Sequence, residues 1–273
     1  MCRIVALPPG FTKERALEIV QNFYVGNDDG TGSVYVKDGK FVVNKWNFSF
    51  EEVVKQNLPL FDHMPYDGWT LAHVRAASHG RNTVNNTHPF VKGDHAMIHN
   101  GVFREYAPVK AALAVTHKFE GQTDSEVAAA LYEVAGKRKF AKSIDSGVYM
   151  FLNIKGRVHV VCKAGGDLVF QKTKKGVVMA SELPSTYGRK QTVMEGIFTL
   201  GKNGKIIRSN WEKDGPSTWI RNWSEYSEYG PKRQSWKKSK KKVTVRKDTF
   251  DSFEDEDLTE FEKLKGRGYV WMA

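Results

Sequence analysis

The spacing of apolar residues along the chain predicts where helices form. Between residues 12 and 24, apolar side chains recur every three or four positions, which is typical of an amphipathic helix. Ser49 followed by Glu52 has the pattern of a capping box and predicts the start of a second helix. A further helix is predicted to begin at Asp124, because the apolar residues that follow it lie on one helical face.

Short apolar runs bounded by turn residues predict the strands. The runs at 33–36 and 41–44 are separated by Asp38-Gly39, which indicates a hairpin. The other predicted strands cover residues 2–6, 70–75, 95–99, 147–154, 157–162, 166–171, 176–180 and 196–208, with hairpin turns at Lys155-Gly156 and Asn203-Gly204. Residues 27–32 are expected to form a polar, glycine-containing loop. Two groups of antiparallel strands with helices between them indicate a layered α+β domain.

The composition favours a protein that folds outside the membrane. Of the 273 residues, 40% are hydrophobic, which is enough to build a core. The chain has no apolar run near the ~18 residues of a membrane helix, and its start lacks the pattern of a secretory signal. Its two cysteines, Cys2 and Cys162, imply no disulfide framework. We therefore expect a cytoplasmic protein without membrane association.

The formal net charge of +11 is not spread evenly along the sequence. From Lys232 to Lys247 there are nine lysines and arginines and no acid, and residues 248–262 carry eight acids and no base. Such a bipolar segment is typical of a solvated tail, and a basic arm for nucleic acid or an acidic partner is the alternative. We expect one domain at residues 2–230 and a charged tail at residues 231–273.

A short aromatic stripe precedes this tail. Trp219, Trp223 and Tyr226 follow one another at helical spacing after Ser217. A stripe of this kind docks on its own domain more often than it binds bases, so we expect a short docking helix here.

Cys2 is the first candidate for catalysis. Removal of Met1 would leave its thiol beside a free α-amine, whose reference pKa near ~7.7–8.0 allows it to act as a general base. The thiol needs such a base, because a free cysteine is only a few per cent thiolate at neutral pH. A cysteine at this position does not by itself define a function.

Four sequence blocks follow Cys2 in order. They are residues 73–80 (HVRAASHG), 87–90 (THPF), 97–101 (MIHNG) and 123–126 (TDSE). The order and spacing of these blocks after an N-terminal cysteine resemble the class II glutamine amidotransferase domain of the N-terminal nucleophile (Ntn) hydrolases. The resemblance covers roughly residues 2–210. It implies a four-layer αββα sandwich, in which two antiparallel sheets stack between helical layers.

The resemblance also implies a role for each matching residue. Cys2 would attack the side-chain amide of glutamine and form a γ-glutamyl thioester with release of ammonia. The side-chain amide of Asn100 and the backbone N–H of Gly101 would form the oxyanion hole. Arg75 would bind the α-carboxylate of the substrate, which suits its planar guanidinium. Asp124 would pair with the α-ammonium group.

Ser78 and His79 are expected at the substrate pocket, and His99 is expected to line it. Members of the family commonly have an aromatic residue and then Ala-Thr after the arginine, whereas this chain has Ala76-Ala77-Ser78. Ser78 keeps a hydroxyl group, but the aromatic wall of the pocket is missing.

Local interpretations of these residues remain open at the level of sequence. Arg75 could form a surface salt bridge, Asn100-Gly101 could be a type I′ turn, and Asp124 could simply cap a helix. The histidines at 73, 79, 88, 95 and 99 suggest a metal cluster, but they lack a paired spacing on one helix and a cysteine partner. We expect them to be structural, with no metal and no cofactor, and we expect Cys162 to be a buried strand residue.

These observations predict a glutaminase-type subunit that hydrolyses glutamine to glutamate and ammonia. The sequence ends without a synthase or synthetase domain, so we expect ammonia to pass to a separate acceptor enzyme. One alternative is hydrolysis of the γ-glutamyl amide of another amine. Another is a non-catalytic binding or regulatory protein, although the retention of all five residues from Cys2 to Asp124 argues against it.

Overall fold

The computed structural model describes residues 2–23, 27–78, 80–163, 165–193 and 195–210. The expected docking helix after Ser217, the charged tail and the candidate His79 lie outside the described residues.

The described residues contain four α-helices. They are α1 (Lys13–Gln21), α2 (Phe50–Lys55), α3 (Tyr106–Leu113) and α4 (Asp124–Ser143), and the last is interrupted by non-helical dihedral angles at Gly136. The Ser49 hydroxyl accepts a hydrogen bond from the backbone N–H of Glu52 at 3.2 Å, so the predicted cap of α2 is confirmed. None of the helices in this part of the chain is both long and apolar enough to span a membrane.

Thirteen strands in the described residues form two antiparallel sheets. The strands are β1 (Arg3–Leu7), β2 (Thr31–Lys37), β3 (Lys40–Trp46), β4 (Thr70–Val74), β5 (Phe90–Lys92), β6 (His95–Asn100), β7 (Gly147–Asn153), β8 (Val158–Lys163), β9 (Val169–Thr173), β10 (Gly176–Ala180), β11 (Gln191–Thr192), β12 (Gly196–Leu200) and β13 (Ile206–Asn210). The seven-stranded sheet has the order β11-β9-β10-β1-β4-β2-β3, and the six-stranded sheet has the order β13-β12-β8-β7-β6-β5.

The two sheets stack face to face with helices on both outer sides. Alternate residues of β1 show this directly: Ile4 and Ala6 pack in the apolar core between the sheets, whereas Val5 and Leu7 pack against α1 and α2. A third core joins the outer face of the six-stranded sheet to α3 and α4. The expected four-layer αββα sandwich is therefore confirmed.

Several predicted boundaries differ from the structure, two of them at the start of a strand. The loop expected at 27–32 ends earlier, because Thr31 and Gly32 already pair with β4 in the sheet. A side chain at Gly32 would place its Cβ 2.2 Å from the carbonyl oxygen of His88, so a close approach of backbone rather than a loop explains this glycine. The strand expected at 166–171 begins at Val169, because Gly166 closes a turn onto Lys163.

Candidate active site

The ends of three strands and one helix bring the sequence blocks together. Cys2 directly precedes β1 and Arg75 directly follows β4, and these neighbouring strands pair so that Arg3 lies opposite Val74. Asn100 is the last residue of β6 in the other sheet, and Asp124 is the first residue of α4. Residues that lie more than 120 positions apart in sequence thus meet at one edge of the sandwich.

The Cys2 side chain is partly buried beside the segment that follows β4. Its Sγ donates a hydrogen bond to the carbonyl oxygen of Ala76 at 3.4 Å. Burial raises the pKa of the thiol, and nearby Asp124 adds to this effect, whereas the positive charge of Arg75 opposes it. A thiol with a raised pKa is protonated at neutral pH and requires a base before it can attack.

Arg75 is buried, with 3% of its surface exposed, so its interpretation as a surface salt-bridge residue is wrong. Its backbone is held by a loop that precedes β2. The N–H of Arg75 donates to the carbonyl of Gly30 at 2.7 Å, and the N–H of Asp29 donates to the carbonyl of Arg75 at 3.1 Å. The guanidinium group itself donates to the carbonyl of Arg81 at 3.4 Å.

Asp29 also fixes the backbone just beyond Arg75. Its Oδ2 accepts a hydrogen bond from the N–H of Ala77 at 2.7 Å. Asp29 therefore holds both sides of Ala76, whose carbonyl contacts the Cys2 thiol. No role for this loop was predicted from the sequence, because a carboxylate 48 positions before its partner carries no local signal of such a contact.

Asn100 and Gly101 lie in a buried strand end. Asn100 pairs with Val148 of β7 and is 1% exposed, and Gly101 has φ +152°. A type I′ turn needs left-handed angles at both central residues, so that interpretation is wrong. The absence of a side chain at Gly101 matters because a Cβ would lie 2.7 Å from the Cα of Gly147.

Asp124 does not cap α4. Thr123 is the capping residue, since its hydroxyl accepts a hydrogen bond from the N–H of Glu126 at 3.4 Å. The buried carboxylate of Asp124 instead accepts from the N–H of Phe103 at 2.6 Å and from the Ser125 hydroxyl at 3.4 Å. The interpretation of Asp124 as a cap is therefore wrong, and its carboxylate is held in place by the loop after Gly101.

Three buried histidines, His73, His88 and His99, lie near the candidate site. His73 stacks on His88 with ring centroids 3.8 Å apart, and His99 stacks on Tyr149 at 4.0 Å. Burial lowers the pKa of His73 to about 3 and that of His99 to about 4, so both rings are neutral at neutral pH. No group of three or more His, Cys, Asp or Glu side chains within the described ranges could hold a metal ion.

His99 links this group to Asp124. Its Nδ1 lies 3.0 Å from the hydroxyl of Ser125, which in turn donates to Asp124. His95, by contrast, lies at the other end of β6, beside Asp94 and Asn153. The histidines that look clustered in sequence thus separate into a buried group near the candidate site and a member away from it.

Two further predicted residues and one that was not predicted complete the description of the site and its surroundings. Ser78 is exposed, at the edge of the segment that follows Arg75. Cys162 is fully buried on β8, as predicted. Ser181 was not predicted as a site residue, yet its hydroxyl accepts hydrogen bonds from the Asn100 side chain at 3.2 Å and from the backbone N–H of Ile4 at 3.1 Å.

Comparison with known families agrees with this arrangement. Residues 62–197 match the family model of the glutamine amidotransferase domain. This stretch contains the four sequence blocks and strands from both sheets. The chain belongs to the class II glutamine amidotransferase family.

Two bacterial enzymes illustrate the sequence relationship. The chain is 36% identical over 128 residues to glutamine--fructose-6-phosphate aminotransferase (isomerizing) of Helicobacter pylori, and the match covers 42% of this chain and 21% of that enzyme. It is 37% identical over 106 residues to the enzyme of the same name from Aquifex aeolicus, covering 38% of this chain and 17% of that enzyme. The match thus spans about a fifth of the length of these relatives.

Solved structures share the fold. Glutamine phosphoribosylpyrophosphate (PRPP) amidotransferase from B. subtilis superimposes with a TM-score of 0.60 at 17% identity, over 77% of this chain and 49% of that one. A glutamine aminotransferase class-II domain protein from Silicibacter pomeroyi gives a TM-score of 0.52 at 18% identity, over 79% of this chain and all of the other. At these identities the likeness concerns the fold alone.

Proposed function

We propose that this domain hydrolyses the side-chain amide of glutamine, with Cys2 as the nucleophile. The observation that carries the proposal is the meeting of a thiol, a buried guanidinium, a buried carboxylate and a strand-end Asn-Gly pair at one edge of the sandwich. These groups match in kind the parts of glutamine that must be bound or attacked. Family membership supports the same reaction.

The reaction begins with the removal of Met1, which frees the α-amine of Cys2. This amine takes the thiol proton, and the sulfur attacks the side-chain carbonyl carbon of glutamine. The raised pKa of the buried thiol supports the need for a base so close to it. The developing oxyanion receives hydrogen bonds from the Asn100 side-chain amide and the backbone N–H of Gly101.

The tetrahedral intermediate then collapses to a thioester, which water hydrolyses. The C–N bond breaks, ammonia leaves with the proton held by the α-amine, and a γ-glutamyl thioester remains on Cys2. Water next attacks the thioester carbonyl with the α-amine as base. The C–S bond breaks, glutamate leaves, and the thiol regains its proton.

Recognition of the substrate rests on two opposite charges. Arg75 binds the α-carboxylate and Asp124 binds the α-ammonium group, so an amino acid with both α-groups free is selected. Ser78 and His79 belong to the same proposed pocket. The backbone bonds that fix Arg75 and the two hydrogen bonds to the Asp124 carboxylate support preorganised binding.

We further propose that the ammonia passes to a separate acceptor enzyme. The related enzymes are named for transfer from glutamine to fructose 6-phosphate or to PRPP, and these names support transfer as the purpose of hydrolysis. A cytoplasmic location is part of this proposal, because a free nucleophilic thiol persists in a reducing compartment. The acceptor is tested by adding candidate enzymes and measuring whether nitrogen from glutamine enters their product instead of solution.

The direct test is the release of glutamate and ammonia from L-glutamine by the purified full-length protein. We expect equal amounts of the two products. Cys2→Ala should abolish release, whereas Cys162→Ala removes the other thiol, which is fully buried on β8 and has no role in the proposed reaction, and should leave turnover intact. No release by the wild-type protein, with or without an acceptor, would contradict the proposal. Release from other γ-glutamyl amides but not from glutamine would favour the alternative substrate class.

A further inference from the structure

The proposed chemistry requires two sheets to be held in register. Cys2 precedes β1 of the seven-stranded sheet, whereas the proposed oxyanion donors Asn100 and Gly101 end β6 of the six-stranded sheet. The layer between the sheets is mainly a large apolar cluster, and apolar packing alone does not fix the direction of a polar group. A polar contact across this layer, close to the nucleophile, is therefore of special interest.

Ser181 makes such a contact. It directly follows β10, and its backbone N–H donates to the carbonyl of Ile4 at 2.9 Å. Its hydroxyl accepts from the backbone N–H of Ile4 at 3.1 Å, so Ser181 is tied twice to a residue two positions from Cys2. The same hydroxyl accepts from the Asn100 side-chain Nδ2 at 3.2 Å, which reaches from the other sheet. One oxygen atom thus connects the nucleophile strand to the proposed oxyanion amide.

This contact decides the orientation of the Asn100 amide. The terminal torsion of an asparagine side chain is broad, so packing alone does not fix the plane of the amide. Among the described residues, the Asn100 side chain forms its hydrogen bond with Ser181 through Nδ2. Its Oδ1 is buried without a hydrogen-bond partner there. The Nδ2 carries two protons, and a bond from one of them to Ser181 leaves the other for the substrate.

We propose that Ser181 is a positioning residue for the oxyanion hole, which orients the Asn100 amide toward the carbonyl attacked by Cys2. This role rests on the proposed glutaminase function and adds a residue to it. Ser181 acts through Asn100 and does not touch the substrate. This role depends on a hydrogen bond between two residues that lie 81 positions apart in sequence.

The test measures steady-state kinetics with L-glutamine for variants that lack the Ser181 hydroxyl and for control variants that lack another buried hydrogen bond. Ser181→Ala should lower kcat about tenfold or more with KM changed less than about twofold, because misorientation of a transition-state donor leaves ground-state binding intact. Ser181→Thr keeps the hydroxyl and should retain most of kcat. Ser33→Ala removes a fully buried hydroxyl on β2 that donates to the carbonyl of Leu60 at 2.8 Å, and it should leave kcat near the wild-type value.

A second control removes a hydrogen bond between the sheets at the other end of β4. The indole N–H of Trp69 donates to the carbonyl of Gly201 at 2.7 Å, and Trp69→Phe removes this bond. If contact between the sheets were enough to explain the effect, Trp69→Phe would reduce kcat as much as Ser181→Ala does. We expect no comparable loss, although both variants should lower the melting temperature.

A double-mutant cycle with Asn100→Ala decides whether Ser181 acts through the amide. In the Asn100→Ala background, Ser181→Ala should reduce kcat less than about twofold further, because the group that it orients is already gone. Independent, multiplying effects would overturn the role while leaving the glutaminase function intact, as would an unchanged kcat in Ser181→Ala. A wild-type protein without glutamine turnover would instead refute the proposed function and this role with it.

Discussion

The two sheets of the sandwich contribute different parts of the proposed reaction. The seven-stranded sheet presents Cys2 and Arg75 on adjacent strands, so the nucleophile and the proposed carboxylate-binding group are aligned by ordinary strand pairing. The six-stranded sheet presents Asn100 and Gly101, and α4, packed on its outer face, presents Asp124. The nucleophile and the oxyanion donors therefore come from two sheets that no strand pairing connects.

This difference indicates which parts of the site should tolerate substitution and which should not. Groups on one sheet keep their spacing as long as the sheet exists. Groups on different sheets depend on side-chain contacts, such as Ser181 with Asn100 and the ring of His73 with the carbonyl of His99 at 3.2 Å. Substitutions of the oxyanion donors or of the residues that orient them should thus affect kcat most, whereas those around Arg75 and Asp124 should affect KM.

The largest of these effects is expected at Asn100. Asn100→Ala should lower kcat by about 10²–10³ with little change in KM, because an oxyanion donor acts mainly in the transition state. Steady-state kinetics with L-glutamine measure this directly. An unchanged kcat would show that the Asn100 amide is not an oxyanion donor and would remove the proposed division between the sheets.

Asp124 should show the opposite pattern. Asp124→Asn removes the charge that pairs with the α-ammonium group and should raise KM by about 10- to 100-fold, as expected for loss of a charge-assisted hydrogen bond. The matched control is Asp145→Asn, which removes an exposed carboxylate paired with Arg104 at 3.0 Å. If the two variants had the same KM, Asp124 would have no part in substrate binding.

A smaller effect is expected at Asp29, which holds the backbone around Arg75. Asp29→Ala removes the acceptor of the Ala77 N–H and should raise KM about threefold to tenfold, which lies within the ~0.5–1.5 kcal/mol that an ordinary hydrogen bond contributes. Its sequence neighbour Asp28 is exposed, so Asp28→Ala serves as the control and should behave like the wild type. Equal KM values for both variants would exclude a positioning role for Asp29.

Removal of the charged tail should have the smallest effect on turnover. We propose that residues 2–230 form the catalytic domain, so deletion of residues 231–273 should leave kcat and KM for glutamine unchanged. If the basic segment from Lys232 to Lys247 binds nucleic acid, the affinity of the full chain should fall steeply between about 50 and 200 mM salt. Loss of turnover after truncation would place the tail within the catalytic unit.

Much of the fold was accessible from local patterns. The Ser49 cap, the hairpin at Asp38-Gly39 and the start of α4 at Asp124 depend on neighbouring residues, and their predictions are confirmed. The early start of β2 was missed because it depends on pairing with β4, which brings Gly32 against the backbone of His88. Local patterns do not contain such distant partners.

The residues of the candidate site also divide into those that could be identified from the sequence and those that could not. Cys2, Arg75 and Asp124 were identified through a family resemblance, which supplies the distant contacts that spacing alone does not. Ser181 and Asp29 were missed, because each acts through hydrogen bonds to residues far along the chain. A small polar residue in a turn has no special signature until the partner that it holds is known.

The central claim is that the N-terminal thiol of Cys2 carries the acyl group of glutamine. Rapid acid quenching of the protein during turnover, followed by mass spectrometry of the N-terminal peptide, tests this claim directly. We expect a peptide that lacks Met1 and carries one γ-glutamyl group on Cys2, removable by hydroxylamine and absent from Cys2→Ala. Full turnover by protein that retains Met1, or an acyl group found on another residue, would contradict it.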